Sequence, residues 1–235
     1  YKLVLQNVFN TFMINFLKKI FKRKPKYTLY ELGSMAADKN DFAAAFKCFV
    51  SDAKKNNNPQ SQFLTGFFLY YGTGVKKNYE YALQWFELAA EQGNADAMFY
   101  IGEIYKNGKG VMKDINKAAK WYLKAAELDH TEAQFNIGFC YKNGKGVPKN
   151  DIEALRWLEP AAEKGNMKAQ YNMGIMCAGG RGMPRDDEAA VNWYKKAAMQ
   201  GYTIAMYNLG FMYQSGRGVK RDYKEAVKWF KKSGE

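Results

Sequence analysis

The sequence predicts an all-α solenoid of helix-turn-helix repeats, on three observations. A glycine recurs at Gly66, Gly102, Gly138, Gly174 and Gly210. A loop pair recurs at Gly72/Gly74, Gly108/Gly110, Gly144/Gly146, Gly180/Gly182 and Gly216/Gly218, and a tryptophan at Trp85, Trp121, Trp157, Trp193 and Trp229. Every interval is 36 residues, so the chain is a tandem array whose units bury their apolar faces against one another. A hydrophobic content of 47% is ample for such a core.

Residues 1–24 come first. Leu5, Val8, Phe9, Phe12, Met13, Phe16, Leu17, Ile20 and Phe21 fall at helical spacing and make one apolar stripe. The uncharged run from Leu3 to Leu17 is too short and too rich in asparagine to span a membrane. Lysine and arginine follow it where a secretory signal would place small residues. Three readings stand: a helix that caps the first repeat, a basic amphipathic helix on an anionic membrane surface, or a helix that docks to a partner. Met13 is a candidate native start, which would make residues 1–12 foreign to the native chain.

Pro25 pushes its predecessor out of helical conformation and marks a boundary. Residues 27–58 then form a degenerate unit. Gly33 stands for the helix glycine, Phe49 for the tryptophan and Ala53 for the first of an alanine pair, and Asp38 to Asp41 replaces the glycine loop with a shorter turn. Atypical end units are expected of repeat arrays. Five regular units fill residues 61–235. In the second, the first helix runs from about Ala97 to Lys106, and Gly108 suits a left-handed C-terminal position. Asp114 suits an N-cap, as do Asn78, Asn150, Asp186 and Asp222. The second helix carries Ala118, Trp121, Tyr122, Ala125 and Ala126 on one face, with Trp121 expected to fill the space between turns. Gly93, Gly165 and Gly201 end this helix in three units, and Asp129 takes that place in another. The chain stops inside the second helix of the last unit, so a continuation or another molecule is expected to cover its end.

The unit Ala-x-(Tyr/Phe)-x-(Leu/Ile/Met)-Gly-x-x-Tyr-x-x-Gly-x-Gly-Val, then Asp/Asn, then Ala-x-x-Trp-(Tyr/Phe)-x-x-Ala-Ala-x-x-Gly, resembles the Sel1-like repeat family, relatives of the tetratricopeptide repeats. The resemblance covers Ser61 to Glu235, with local departures at Thr65, Asp129 and Cys177. It implies a right-handed superhelix that serves as an interaction scaffold or adaptor for another protein or peptide, with no cofactor. A dedicated inhibitor, such as an immunity protein that occludes a toxin, is the alternative function. In such folds the residue after the helix glycine faces the concave groove. Here those residues are Phe67, Glu103, Phe139, Ile175 and Phe211. Two before the glycine stand Leu64, Tyr100, Asn136, Asn172 and Asn208, whose amides suit a bound peptide. Both rows could instead pack against the adjacent repeat.

The net charge is +13. Residues 1–27 hold seven basic residues and no acid, so +6 of the +13 remains for the array, and nucleic acid is not the expected partner. Along one loop edge, Lys109, Lys145, Arg181 and Arg217 form a basic row, suited to an acidic partner or an anionic membrane. The Gly-x-Gly-Val loops lack a following lysine and strand context, so turn geometry explains them better than phosphate binding. Neither a catalytic set nor a metal set is expected. His130 is the single histidine, no Ser-x-x-Lys pair supports the β-lactamase activity once ascribed to some family members, and no Cys-x-x-Cys occurs. Cys48, Cys140 and Cys177 read as reduced, core-type thiols. The expected location is cytoplasmic, peripheral at the inner membrane surface if residues 1–24 touch lipid. Oligomeric state is not readable.

Overall fold

A computed structural model describes residues 27–234. Three expectations for residues 1–24 (cap, membrane helix, docking helix) lie outside the described residues, as does Glu235. Among the described residues the chain is helical throughout. The degenerate unit supplies α1 (Leu29–Asp38) and α2 (Phe42–Asn56). The five regular units supply α3 (Pro59–Tyr71) and α4 (Tyr79–Glu91), α5 (Ala95–Asn107) and α6 (Ile115–Glu127), α7 (Thr131–Asn143) and α8 (Asp151–Glu163), α9 (Met167–Gly179) and α10 (Asp187–Met199), and α11 (Thr203–Ser215) and α12 (Tyr223–Gly234). Each helix packs mainly on the one before and the one after it, the quasi-linear arrangement of a solenoid. No described helix is long and apolar enough to cross a membrane.

Local chemistry fixes each turn. Gly72, Gly108, Gly144, Gly180 and Gly216 all end a first helix with positive φ, a conformation only glycine adopts without steric cost. The chain then returns through a fixed bond. The backbone N–H of Asn78, Asp114, Asn150, Asp186 and Asp222 donates to a carbonyl in the preceding helix at 2.9–3.0 Å. The side chains of the same five residues accept from first-turn amides of the second helix. These caps contribute about 1 kcal/mol each.

A Cβ added at Gly102 would lie 2.5 Å from Tyr122, and at Gly66, 2.7 Å from Phe86. Leu158, Tyr194 and Phe230 press on Gly138, Gly174 and Gly210 in the same way. The residue after each tryptophan is therefore the one that meets the helix glycine. Trp121 sits half-buried at the rim with the Lys124 ammonium 4.3 Å from its ring centroid. Adjacent residues point about 100° apart on a helix, so only one of the two meets the glycine. By the same contact Phe49, which packs on Gly33, answers to Phe86 rather than to Trp85. Ala53, four residues on, then answers to Ala90, the second alanine, and buried Asp52 takes the first place.

The second loop glycine joins one unit to the last. A Cβ at Gly146 would lie 2.3 Å from the Ile115 carbonyl oxygen, and at Gly218, 2.0 Å from that of Asp187. Each such glycine rests on the first residue of the preceding unit's second helix. The loops are inter-repeat joints, in agreement with the turn-geometry reading.

Candidate partner-binding surface

The first helices carry ten candidate contact positions, and the structure puts them in three environments. In the first two units they are absorbed into an aromatic cluster. Phe67 lies 4.7 Å from Tyr71 and 5.6 Å from Tyr100, centroid to centroid. Tyr100 stacks on Phe86 at 5.3 Å, and Leu64 packs beside it. Burial raises the Tyr100 hydroxyl above the ordinary tyrosine range, with the Tyr71 hydroxyl adding to the effect. Glu103 accepts from the Tyr122 hydroxyl at 2.6 Å and pairs with Lys106.

In the middle units Phe139 and Ile175 remain half-buried at equivalent positions. Asn136 donates to the Glu132 carbonyl in its own helix at 2.9 Å. Asn172 departs from the expectation of a free amide: it is buried, donates to the Lys168 carbonyl and accepts from Lys142. Its amide is already used inside the array, because Lys142 reaches across the repeat junction to it. Burial lowers the Lys142 ammonium below the usual lysine range.

In the last unit Asn208 lies within bonding reach of the Tyr171 and Tyr194 hydroxyls. Phe211 is 47% exposed, the most open of the ten positions. Tyr207 and Ile204 stand open on the same helix.

The four basic positions also divide. Arg181 pairs with Asp151 at 2.7 Å and donates to the Lys142 carbonyl at 3.1 Å. Arg217 pairs with Asp187 at 2.7 Å. Lys109 donates to the Tyr70 hydroxyl at 2.7 Å and lies 5.3 Å from the Tyr79 ring centroid. In each case the partner belongs to the preceding repeat, so these three cations stitch neighbouring units together. Their carboxylates respond: the Arg181 bond lowers Asp151, and bonds from Arg217 and Arg185 hold Asp187 at about 2. Lys145 has no such partner. The residue thirty before it is Ile115, where Asp151 and Asp187 stand in the next two units.

A cleft of about 450 Å³ opens at that junction. Ile115, Tyr122, Phe135 and Phe139 supply its apolar surface, and Lys106, Lys113, Lys145 and Lys168 its cations. Buried Cys140 also contributes, its thiol pushed up to about 11 by burial. Sequence reading found Phe139 and Lys145 but not their meeting in a cleft. The signal was present in the unequal partners at the thirty-residue spacing.

His130 is the N-cap of α7. Its Nδ1 accepts from the Ala133 amide at 3.1 Å, its Nε2 lies 3.3 Å from Asp96, and its ring stacks on Phe99 at 4.8 Å. It replaces the asparagines that cap α5 and α9. Among the described residues, no cluster of three or more His, Cys, Asp or Glu side chains could hold a metal ion.

Comparison with known proteins bears on the whole array. The family described as Sel1 repeat matches residues 59–94, 95–130, 131–166, 168–202 and 203–235. The crystal structure of a Sel1 repeat protein from Oxalobacter formigenes is similar over 89% of this chain and 83% of that one, with 35% identity and a TM-score of 0.83. The protective antigen c5321 of uropathogenic Escherichia coli strains, which displays an SLR fold, is similar over 94% of this chain with 29% identity and a TM-score of 0.83. This chain covers 48% of that longer one. A search of curated protein sequences gave no match.

Proposed function

Because this chain belongs to the Sel1 repeat family, we propose that it is an interaction module that holds a partner protein along its first helices. The observation that carries this reading is the row Phe139, Ile175 and Phe211. These apolar side chains occupy one register in three successive units and keep part of their surface open. Partly exposed apolar residues in an aligned row favour a protein interface over bulk solvent. Asn136 leaves its side-chain carbonyl oxygen free for such a partner, since only its NH2 group is engaged within the array.

Site-specific photo-crosslinking tests the proposal. A photoreactive residue at Phe139 or at Phe211 should trap one and the same partner in cells. The same residue at Met112, which is 90% exposed on a loop, should not. Crosslinks of equal yield from all three sites, or from Met112 alone, would reject this face. The identity of the trapped protein separates an adaptor from an inhibitor that occludes its target.

A further inference from the structure

The cleft between the second and third repeats has features that the rest of the proposed face lacks. Its cations come from three successive units: Lys106 and Lys113 from the second, Lys145 from the third and Lys168 from the fourth. Glu103 neutralises Lys106. Among the described residues, Lys113, Lys145 and Lys168 have no carboxylate within ion-pairing distance. At the following two junctions the cation equivalent to Lys145 is spent on an aspartate of the neighbouring repeat. Here Ile115 occupies the aspartate position and adds apolar surface instead. Isoleucine at this position thus leaves a cation unpaired and lines the space beneath it with hydrocarbon.

The geometry points to an acidic peptide segment of the partner as the occupant, running along the array with one aromatic or large aliphatic side chain set into the cleft. This inference rests on the partner-binding reading above. A volume of about 450 Å³ lies within the range of roughly 300–1,000 Å³ found for ligand sites. Three unpaired lysines spread over successive repeats fit carboxylates spaced along an extended chain better than a single anion. The apolar floor of Ile115, Tyr122, Phe135 and Phe139 requires an apolar group between those carboxylates. Neither feature alone would select such a ligand; charge complementarity fixes the approach, and the buried side chain fixes the register.

Fluorescence anisotropy with a labelled acetyl-Asp-Asp-Phe-Asp-Asp-amide peptide tests this directly. The wild-type protein should bind it saturably and lose affinity as salt rises. Lys145→Glu with Lys168→Glu, both at exposed positions and checked by circular dichroism, should weaken binding at least tenfold. Replacing the peptide's phenylalanine by alanine should also weaken it, and the Asn-Asn-Phe-Asn-Asn analogue should not bind. Absence of saturable binding to the wild type would overturn the inference, as would equal binding by the lysine variant or of the uncharged analogue. Crosslinks retained at Phe139 and Phe211 alongside such a failure would leave the broader reading intact. Their loss would remove that reading as well.

Discussion

The second–third and fourth–fifth junctions are built on one template and differ in the polar contacts at each edge. At the fourth–fifth junction Arg217 reaches back to Asp187, while the helix start on the other edge is Tyr202, which makes no side-chain cap but packs its ring edge-on to Tyr171 at 5.3 Å. At the second–third junction Lys145 faces Ile115 and, among the described residues, makes no ion pair, while His130 on the other edge caps α7, contacts Asp96 and stacks on Phe99. Among the described residues, the edge of the second–third junction that lacks an ion pair is where unpaired cations meet apolar walls.

The largest effects should come from the joint that both junctions share. Gly218→Ala places a Cβ 2.0 Å from the Asp187 carbonyl oxygen, and Gly146→Ala places one 2.3 Å from that of Ile115. Backbone cannot move aside as a side-chain tip can. Each change should cost about 3 kcal/mol or more through displaced packing and left-handed strain. Gly201→Ala supplies the control: its φ is +89°, yet nothing lies within 4 Å of the added atom. It should cost only about 1 kcal/mol. Urea melts of the three variants measure this, and equal losses would show that conformation alone governs the loops.

Next in size are the stitches. Arg217→Ala or Arg181→Ala should destabilise by about 1 kcal/mol, since each removes a partly buried carboxylate pair. Lys145→Ala should change stability by less than about 0.5 kcal/mol. The stitches also set an acid response. Asp187 is held at about 2, below its ordinary 3.8, so its contribution is complete above about pH 4 and is lost as pH falls through about 2. Thermal melts between about pH 5 and pH 2 should therefore fall less steeply for Arg217→Ala than for wild type, because Asp187 then keeps only Arg185. Parallel curves would show that Arg217 does not govern this titration. On the opposite edge His130→Ala should cost about 1 kcal/mol as a lost cap. His130→Asn, which restores the residue found at three equivalent helix starts (Asn58, Asn94 and Asn166), should recover most of that cost.

The fold was legible because five units agree in phase, and a single misread position does not disturb that agreement. Caps and left-handed glycines were legible for the same reason, each with its own local chemistry. Which aromatic meets the helix glycine was not singled out, because Trp121 and Tyr122 are adjacent and both large. The tyrosine's counterparts, Phe86, Leu158, Tyr194 and Phe230, are apolar or aromatic in every unit, and that constancy was the usable signal. The basic row was read along one edge, whereas its meaning lies across repeats, thirty residues back. Asp151 precedes Arg181 and Asp187 precedes Arg217 by that interval, and Ile115 precedes Lys145. The cleft depends on Ile115 standing where the next two units carry aspartate, and a periodic reading averages such a difference away.

The smallest expected stability effect tests the comparison most directly. Ile115→Asp with Lys145→Arg copies the fourth–fifth stitch into the second–third junction. The new pair would be partly exposed, so its gain should not exceed about 1 kcal/mol, and the loss of the isoleucine's buried surface offsets part of it. Stability should therefore change little while the cleft loses both an apolar wall and its unpaired cation. If the junction's open edge is what admits the acidic segment, this variant should bind the labelled peptide at least tenfold more weakly than wild type at nearly equal stability. Unchanged binding by a folded variant would place the recognition elsewhere on the first helices and leave the missing stitch a neutral variation of the template.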